Sequence, residues 1–429
     1  MNFILAIPLP VRLVLLFVLG TLVGGLINWA VYALAWNRRA ISPWSAPPKG
    51  AAPRRPTDRI PLVGWLGLRR DSSLHGRGFW FRPLLVELAS GFLFAGLYLW
   101  ETQFAPAVWA LPGAVPPPAD FLSANLPLVA HARYLSHAIL IALMLAASLV
   151  DLDEKTIPDA ITVAGTLAGL ALAALYPWSL PPAAQFVIDG LSHVEFLTLA
   201  SPAAWPPELD GLPLLAGLGV ALACWTLWCG GLLPRYWNAR RGWATAVRVF
   251  FHRLRIQRTT YAIVLMWLAG AAAMALAAWR APDAHWAALV TALVGMAGGG
   301  GVIWAVRTIG AAVLKREAMG FGDVTLMSMI GAFLGWQACL IVFFVAPFFG
   351  LAFAIANWIF HREREIPYGP FLCLAALAVI VKWAAFWDRT VDIFSLGWVV
   401  PALFGGCLVL LALLLWVYRT IGQLLTRGR

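Results

Sequence analysis

Apolar runs of about 20 residues recur from one end of this chain to the other, and each is the length an α-helix needs to cross a ~30 Å hydrocarbon core. With 61% hydrophobic and 12% charged residues, the sequence reads as an all-α, polytopic transmembrane helical bundle. The runs fall near 11–36, 84–103, 132–150, 160–177, 211–233, 261–280, 286–314, 323–336, 338–358, 368–386 and 396–418. They give about nine to eleven spans, the 323–336 run being short for a crossing. The first run lacks a basic leader and a small-residue cleavage site, so it is expected to be retained.

Arginine placement sets the expected orientation. Residues 37–82 hold ten Lys or Arg against two acids, and 234–260 hold seven Arg and no acid, whereas 104–131 and 177–210 hold no Lys or Arg. The positive-inside rule puts the basic loops, the 361–365 run and the tail ending in Arg427 and Arg429 in the cytoplasm, with the N-terminus outside. Arg389 is the one clear charge on the wrong side. Basic loops facing anionic lipid account for the net charge of +11, so no nucleic-acid partner is expected. The 23 Trp cluster at span ends, as in an interfacial belt. Cys224, Cys229, Cys339, Cys373 and Cys407 sit in apolar runs without CxxC spacing, which argues against a disulfide framework or a zinc site.

Against this acid-poor background two segments stand out: 151–159, Asp-Leu-Asp-Glu-Lys-Thr-Ile-Pro-Asp, and 319–323, Met-Gly-Phe-Gly-Asp. Each places carboxylates at the margin of an apolar run, where an unpaired charge is costly. The expected topology brings both to the cytoplasmic face. Pro158 cannot continue a helix and pushes Ile157 toward an extended conformation, so 152–158 is expected to form a tight turn, with Asp159 capping the next helix. Gly320 and Gly322 allow unusual torsions or close approach just before Asp323. Two adjacent carboxyls share one proton, which suits peptide hydrolysis without metal or covalent intermediate. A proton or cation relay and a catalytically inactive scaffold are the alternatives, and an Asp at a helix end is also commonly a cap.

The Asp-x5-Ile-Pro-Asp run and the Gly-x-Gly-Asp run, the latter followed by 329–337, Met-Ile-Gly-Ala-Phe-Leu-Gly-Trp-Gln, resemble the two active-site signatures of the bacterial prepilin peptidases, GxGD-type membrane aspartic proteases. The runs 25–32 (Gly-Leu-Ile-Asn-Trp-Ala-Val-Tyr), 58–61 (Asp-Arg-Ile-Pro), 82–88 (Arg-Pro-Leu-Leu-Val-Glu-Leu) and 366–372 (Ile-Pro-Tyr-Gly-Pro-Phe-Leu) are similar to further family motifs in the same order. The resemblance implies catalytic aspartates at Asp151 and Asp323, supported by Gly320, Gly322, Ile157 and Pro158, with Asp153, Asp159 and Glu87 as secondary candidates. It implies cleavage of prepilin or pseudopilin precursors at the cytoplasmic face of the bacterial inner membrane. N-methylation of the new N-terminus, and with it S-adenosylmethionine, follows only if that second activity is retained.

Three departures bear on this. The family's cytoplasmic loop carries two CxxC pairs, but residues 37–82 contain no cysteine, so zinc is not expected. Thr325 stands where the family commonly has Lys. Residues 211–280 look like an added pair of spans, expected to be peripheral to catalysis. The chain thus divides into an N-terminal region 1–103, a peptidase core 131–386 carrying that insertion, and a last span with its tail at 396–429.

Overall fold

A computed structural model of the chain describes residues 6–36, 41–47, 50–104, 126–188, 191–202, 214–233, 248, 252, 256–315, 319–359 and 367–427. Most of the 234–255 arginine loop, the 361–366 run, Arg429 and much of the two Lys/Arg-free loops lie outside the described residues. The apolar runs become helices: α1 (Leu9–Ala33), α2 (Phe81–Leu99), α3 (Leu126–Glu154), α4 (Asp159–Leu175), α5 (Leu214–Leu232), α6 (Arg258–Arg280), α7 (Asp283–Leu314), α8 (Phe321–Ile359), α9 (Gly369–Val381), α10 (Trp383–Phe394) and α11 (Val399–Arg427). Eight of these are long and apolar enough to cross a membrane, and the pair α9–α10, bent by 93°, makes up to nine. The expected fourth span is a shorter apolar helix, α4, of 17 residues.

The expected runs 323–336 and 338–358 share α8, whose 39 residues are interrupted at Gly335, with φ 82° and ψ 170°. Cys339 Sγ lies 3.9 Å from the Met327 carbonyl, across a separation that a straight helix would stretch to about 18 Å. The chain therefore doubles back at Gly335, and a left-handed φ of this kind favours glycine. The first arm packs along α7, where Gly295 meets the Gly331 carbonyl with no room for a side chain at either position. Leu326, Met327, Met329 and Ile330 are wholly buried there.

The all-α expectation needs one correction, an antiparallel hairpin of β1 (Pro182–Ile188) and β2 (Leu191–Phe196). A lone two-stranded hairpin is marginal in water, and this one is anchored by indoles. Trp383 and Trp387, stacked 5.3 Å apart, donate to the carbonyls of Pro182 and Ala183 at 2.7 and 2.8 Å. Trp336 donates to Leu199 O at 3.0 Å and the buried Gln337 to Thr198 O at 2.8 Å, which ties the following segment to the Gly335 reversal. These tryptophans serve as backbone donors as well as apolar mass. Toward the same end, Glu101 accepts from His137 at 2.7 Å and pairs with Arg133 at 3.7 Å, all three buried.

The cysteine-free loop is ordered by ion pairs. Arg70 clamps Asp58 through Nη1–Oδ1 (2.9 Å) and Nη2–Oδ2 (2.5 Å), and Arg54 binds Asp71 at 2.7 Å. The hydrogen bonds from Arg70 hold the Asp58 carboxyl below the usual carboxylate range, against the opposing effect of its burial. Trp65 and Leu68 fill the space between loop and bundle. We expect purified protein to carry no stoichiometric zinc and chelators to leave proteolysis intact, because the acids of this loop are already committed to arginines. Elemental analysis and a chelator titration of activity check this; one zinc per chain would overturn it.

Candidate active site

Asp151 lies in the last turn of α3, which runs on to Glu154. The reversal is therefore confined to 155–158, shorter than the expected 152–158, with Lys155 at φ 55°. Pro158 occupies the N-cap position of α4, so Asp159 is the first helical residue and makes no side-chain cap. This corrects the capping role expected for Asp159; it is exposed at the positive end of the helix dipole, where a carboxylate is favoured. Ile157 is carried inward and buried.

Asp323 lies in the first turn of α8. Gly320 and Gly322 have ordinary torsions, which removes one of the two expected reasons for them. Close approach is the reason at Gly322, where an added methyl would stand 2.9 Å from Ile157 Cβ. Ile157 also reaches Gly369 at the start of α9: a methyl placed there would lie 2.9 Å from Ile157 Cδ1 and 2.5 Å from Asp151 Oδ2. Ile157 thus sits between Gly322 and Gly369, with Asp323 on one side and Asp151 on the other. The carboxyls are 5% and 7% exposed, and they are near enough for the charge of Asp151 to act on Asp323. Asp151 Oδ2 has no hydrogen-bond partner at ordinary geometry, although the Gly369 amide is within reach. Tyr368 lies within electrostatic reach of Asp323. Thr325 is buried, bonding to Gly322 O at 3.0 Å and to Thr162 Oγ1 at 3.1 Å.

The other candidates are elsewhere. Asp153 turns away from Asp151 and takes a forked pair from Arg82 at 2.6 and 2.9 Å, which places the basic loop at the same end of the bundle as both aspartates. Glu87, 3% exposed, accepts from Leu62 N (2.6 Å), Trp65 Nε1 (2.7 Å) and Asn28 Nδ2 (3.4 Å). It lines a separate cavity of about 200 Å³ with Gly25, Trp44, Asp58 and Arg59. Replacing Glu87 with Ala strands two strong buried donors, which typically costs about 1–3 kcal/mol each. We expect Glu87→Ala to lower the thermal midpoint and expose 50–80 to limited proteolysis, and Glu87→Gln to do so less; an unchanged Ala variant would remove Glu87 from the loop's support.

Gly369 was not singled out from sequence. The signal was the Tyr-Gly-Pro in 366–372, but only the fold puts that glycine against Asp151. The site so assembled has two buried carboxyls on either side of Ile157, whose side chain packs against Gly322 and Gly369, with the Gly369 amide beside Asp151. That chemistry serves proton transfer to and from a water and a carbonyl.

Residues 254–355 match the Type IV leader peptidase family, and residues 18–101 match the Bacterial Peptidase A24 N-terminal domain. The first match contains Gly320, Gly322, Asp323 and also α6, part of the segment set apart as an insertion; the second contains Glu87; Asp151 falls outside both. The chain is similar to the prepilin leader peptidase/N-methyltransferase of Aeromonas salmonicida (strain A449), with 34% identity over 87 residues, 20% of this chain and 30% of the relative. The protein of that name from Escherichia coli (strain K12) is 32% identical over 88 residues, 20% and 39%. The one from Myxococcus xanthus (strain DK1622) is 28% identical over 167 residues, 38% and 41%. The chain thus spans well under half the length of each of these relatives. No solved structure matches it.

Proposed function

We propose, from the premise that the chain belongs to the type IV leader peptidase (peptidase A24) family, that it is a membrane aspartic endopeptidase. The observation that carries this is the meeting of Asp151 and Asp323 around Ile157, Gly322 and Gly369. Two carboxyls so placed hold one proton between them. The ionised one takes a proton from water as its oxygen attacks the scissile carbonyl carbon; the protonated one hydrogen-bonds the carbonyl oxygen. Collapse of the tetrahedral intermediate breaks the C–N bond, and the proton passes to the leaving nitrogen. The substrates in this reading are prepilin-like or pseudopilin precursors, cut on the cytoplasmic side, where the basic loop lies at the same end as the site. A buried ionic site without substrate access would favour a scaffold or a relay; the open space at Gly320, where an added methyl would come no nearer than 3.7 Å to Asp323 Oδ2, favours an approaching peptide chain.

The relatives' names also include N-methyltransferase. The cavity beside Glu87, at about 200 Å³, is below the ~300–1,000 Å³ of small-molecule sites, and its two carboxyls are committed to Arg70 and to Trp65 and Leu62. It does not fit a nucleoside-sized methyl donor, and no methyl-transfer step is derived. Co-expression with a tagged precursor and mass determination of its N-terminus tests the reading. Loss of the leader is the expected result, a methyl group would register in the same spectrum, and an intact precursor would overturn it.

A further inference from the structure

At the far end of the bundle from the aspartates the helices enclose another cavity, of about 440 Å³, within the range of small-molecule sites. Arg12, Leu15 and Leu16 of α1 line it, together with Tyr98 near the end of α2 and with His131 and Leu135 in the early part of α3. The twenty residues of α3 from His131 to Asp151 rise about 30 Å, the thickness of a hydrocarbon core. The cavity therefore stands at the margin of the leaflet opposite the catalytic carboxyls, level with lipid headgroups. One charged group governs it. Arg12 is half-buried; its Nη1 donates to Tyr98 Oη at 2.5 Å and its Nε is enclosed, which leaves Nη2 as the nitrogen open to the cavity. Tyr98 is buried and meets His131 Nε2 at 3.0 Å on its other side, so the guanidinium is held in place. Neither partner is an acid. Glu101, three residues beyond Tyr98, is taken by Arg133 and His137, and no ion pair to Arg12 occurs among the described residues.

An unpaired cation at this depth is costly until an anion meets it. The wall beside it is apolar, and Leu15 and Leu135 are 56% and 43% exposed, so the cavity opens sideways toward the bilayer. A free inorganic anion gains nothing from such a wall, and an apolar helix brings no negative charge to the guanidinium. A phospholipid supplies both needs, a phosphate with an acyl chain joined to it. We propose that this cavity binds one anionic phospholipid, with a phosphate oxygen on Arg12 Nη2 and an acyl chain against Leu15, Leu16 and Leu135. Held there, the lipid bridges α1 of the N-terminal region and α3 of the peptidase core, at the opposite end from the pair of Arg82 and Asp153 that joins the same two regions near the aspartates. The site is independent of the chemistry at the carboxyls.

The test titrates the purified, delipidated full chain in detergent with phosphatidylglycerol and with phosphatidylcholine, whose ammonium cancels the phosphate charge, and counts bound lipid by native mass spectrometry. One phosphatidylglycerol per chain is expected, bound at least about tenfold more tightly than phosphatidylcholine and not displaced by millimolar inorganic phosphate. Arg12→Gln keeps a donor for Tyr98 and removes the charge, and is expected to weaken phosphatidylglycerol binding at least about tenfold. Arg12→Lys should recover most of that loss, since an ammonium also binds phosphate. Leu135→Trp places a larger side chain at an exposed position across the acyl path; it should cost a similar factor while leaving the lipid-free thermal midpoint unchanged, which decides the matter even if Arg12→Gln fails to fold. Arg389→Gln, at another exposed arginine, should change nothing. In membranes, a photoreactive group at Leu135 is expected to capture lipid. Equal binding of the two lipids by wild type, displacement by inorganic phosphate, or full binding by both Arg12→Gln and Leu135→Trp would overturn the site. Adducts at Leu135 formed only with a precursor or with a second copy of this chain would do the same.

Discussion

Asp151→Asn and Asp323→Asn are each expected to abolish precursor cleavage, with a loss of at least about 10³-fold, while the protein inserts and accumulates as before. The argument is chemical: the asparagine amide can neither take the proton of the attacking water nor share one with the other carboxyl. Both replacements are nearly isosteric, and each removes a carboxyl from a pair that has to share its proton, so insertion and packing should survive. The double variant should be no worse than either single one, because the pair acts as a unit. Asp153→Ala and Asp159→Ala supply the contrast. Asp153 binds the half-exposed Arg82, a pair of the kind generally worth about 1 kcal/mol or less, and Asp159 is an exposed residue in a first helical turn. Both variants should cleave within a few-fold of wild type. Initial rates on a tagged precursor in isolated membranes, normalised to inserted protein, provide the measurement. Near-normal cleavage by Asp323→Asn would sink the aspartic-protease mechanism.

The parts of this molecule legible in sequence are those written in local pattern. Long apolar runs specify helices whatever surrounds them, and carboxylates at the edges of such runs stand out because burial makes them costly. Ile157 and Pro158 could be placed at a helix break because proline restricts the residue before it. What could not be read depends on partners remote in sequence. Arg82 finds Asp153 at a separation of 71 residues, Trp383 finds Pro182 at 201, and Gly369 reaches Asp151 across several helices. The loop is a further instance: the absence of cysteines argued against zinc, but nothing local showed that Arg70 and Arg54 would take the two acids. The hairpin at 182–196 was missed because it depends on indole donors from α10 to hold it. Gly335 was quoted within a motif without its role, since the same residues in a straight helix would read identically.

Gly322→Val and Gly369→Ala are expected to be as damaging as loss of an aspartate, by a different route. A Cβ at residue 322 would lie 2.9 Å from Ile157 Cβ and 3.2 Å from Ile157 N, closer than such atoms come without something moving. Neither neighbour is the free end of a flexible side chain, so the 155–158 turn or the start of α8 has to shift, and Asp151 and Asp323 with it. Valine adds two further methyls at that point, whereas alanine adds only the Cβ and should be milder. At residue 369 the added methyl meets the Asp151 carboxyl itself, 2.5 Å from Oδ2, and Ile157 Cδ1 at 2.9 Å. An alanine there displaces a catalytic group directly, so even this smallest change should be severe. A displacement of about 1 Å typically costs about 10²-fold in rate, and valine at 322 is expected to exceed that. The two glycines have ordinary torsions in common with their helices, so alanine brings no backbone strain, and the loss of activity is to be read as steric. Compensation separates this from a folding defect: Ile157→Val, which removes the Cδ1 that a methyl at residue 369 would meet, is expected to restore part of the activity of Gly369→Ala and none of that of Gly322→Ala, whose clash is with Ile157 Cβ and N. Full activity in Gly322→Val, or a Gly369→Ala enzyme indistinguishable from wild type, would mean that the two carboxyls are positioned by something other than the contact of Ile157 with bare backbone on either side.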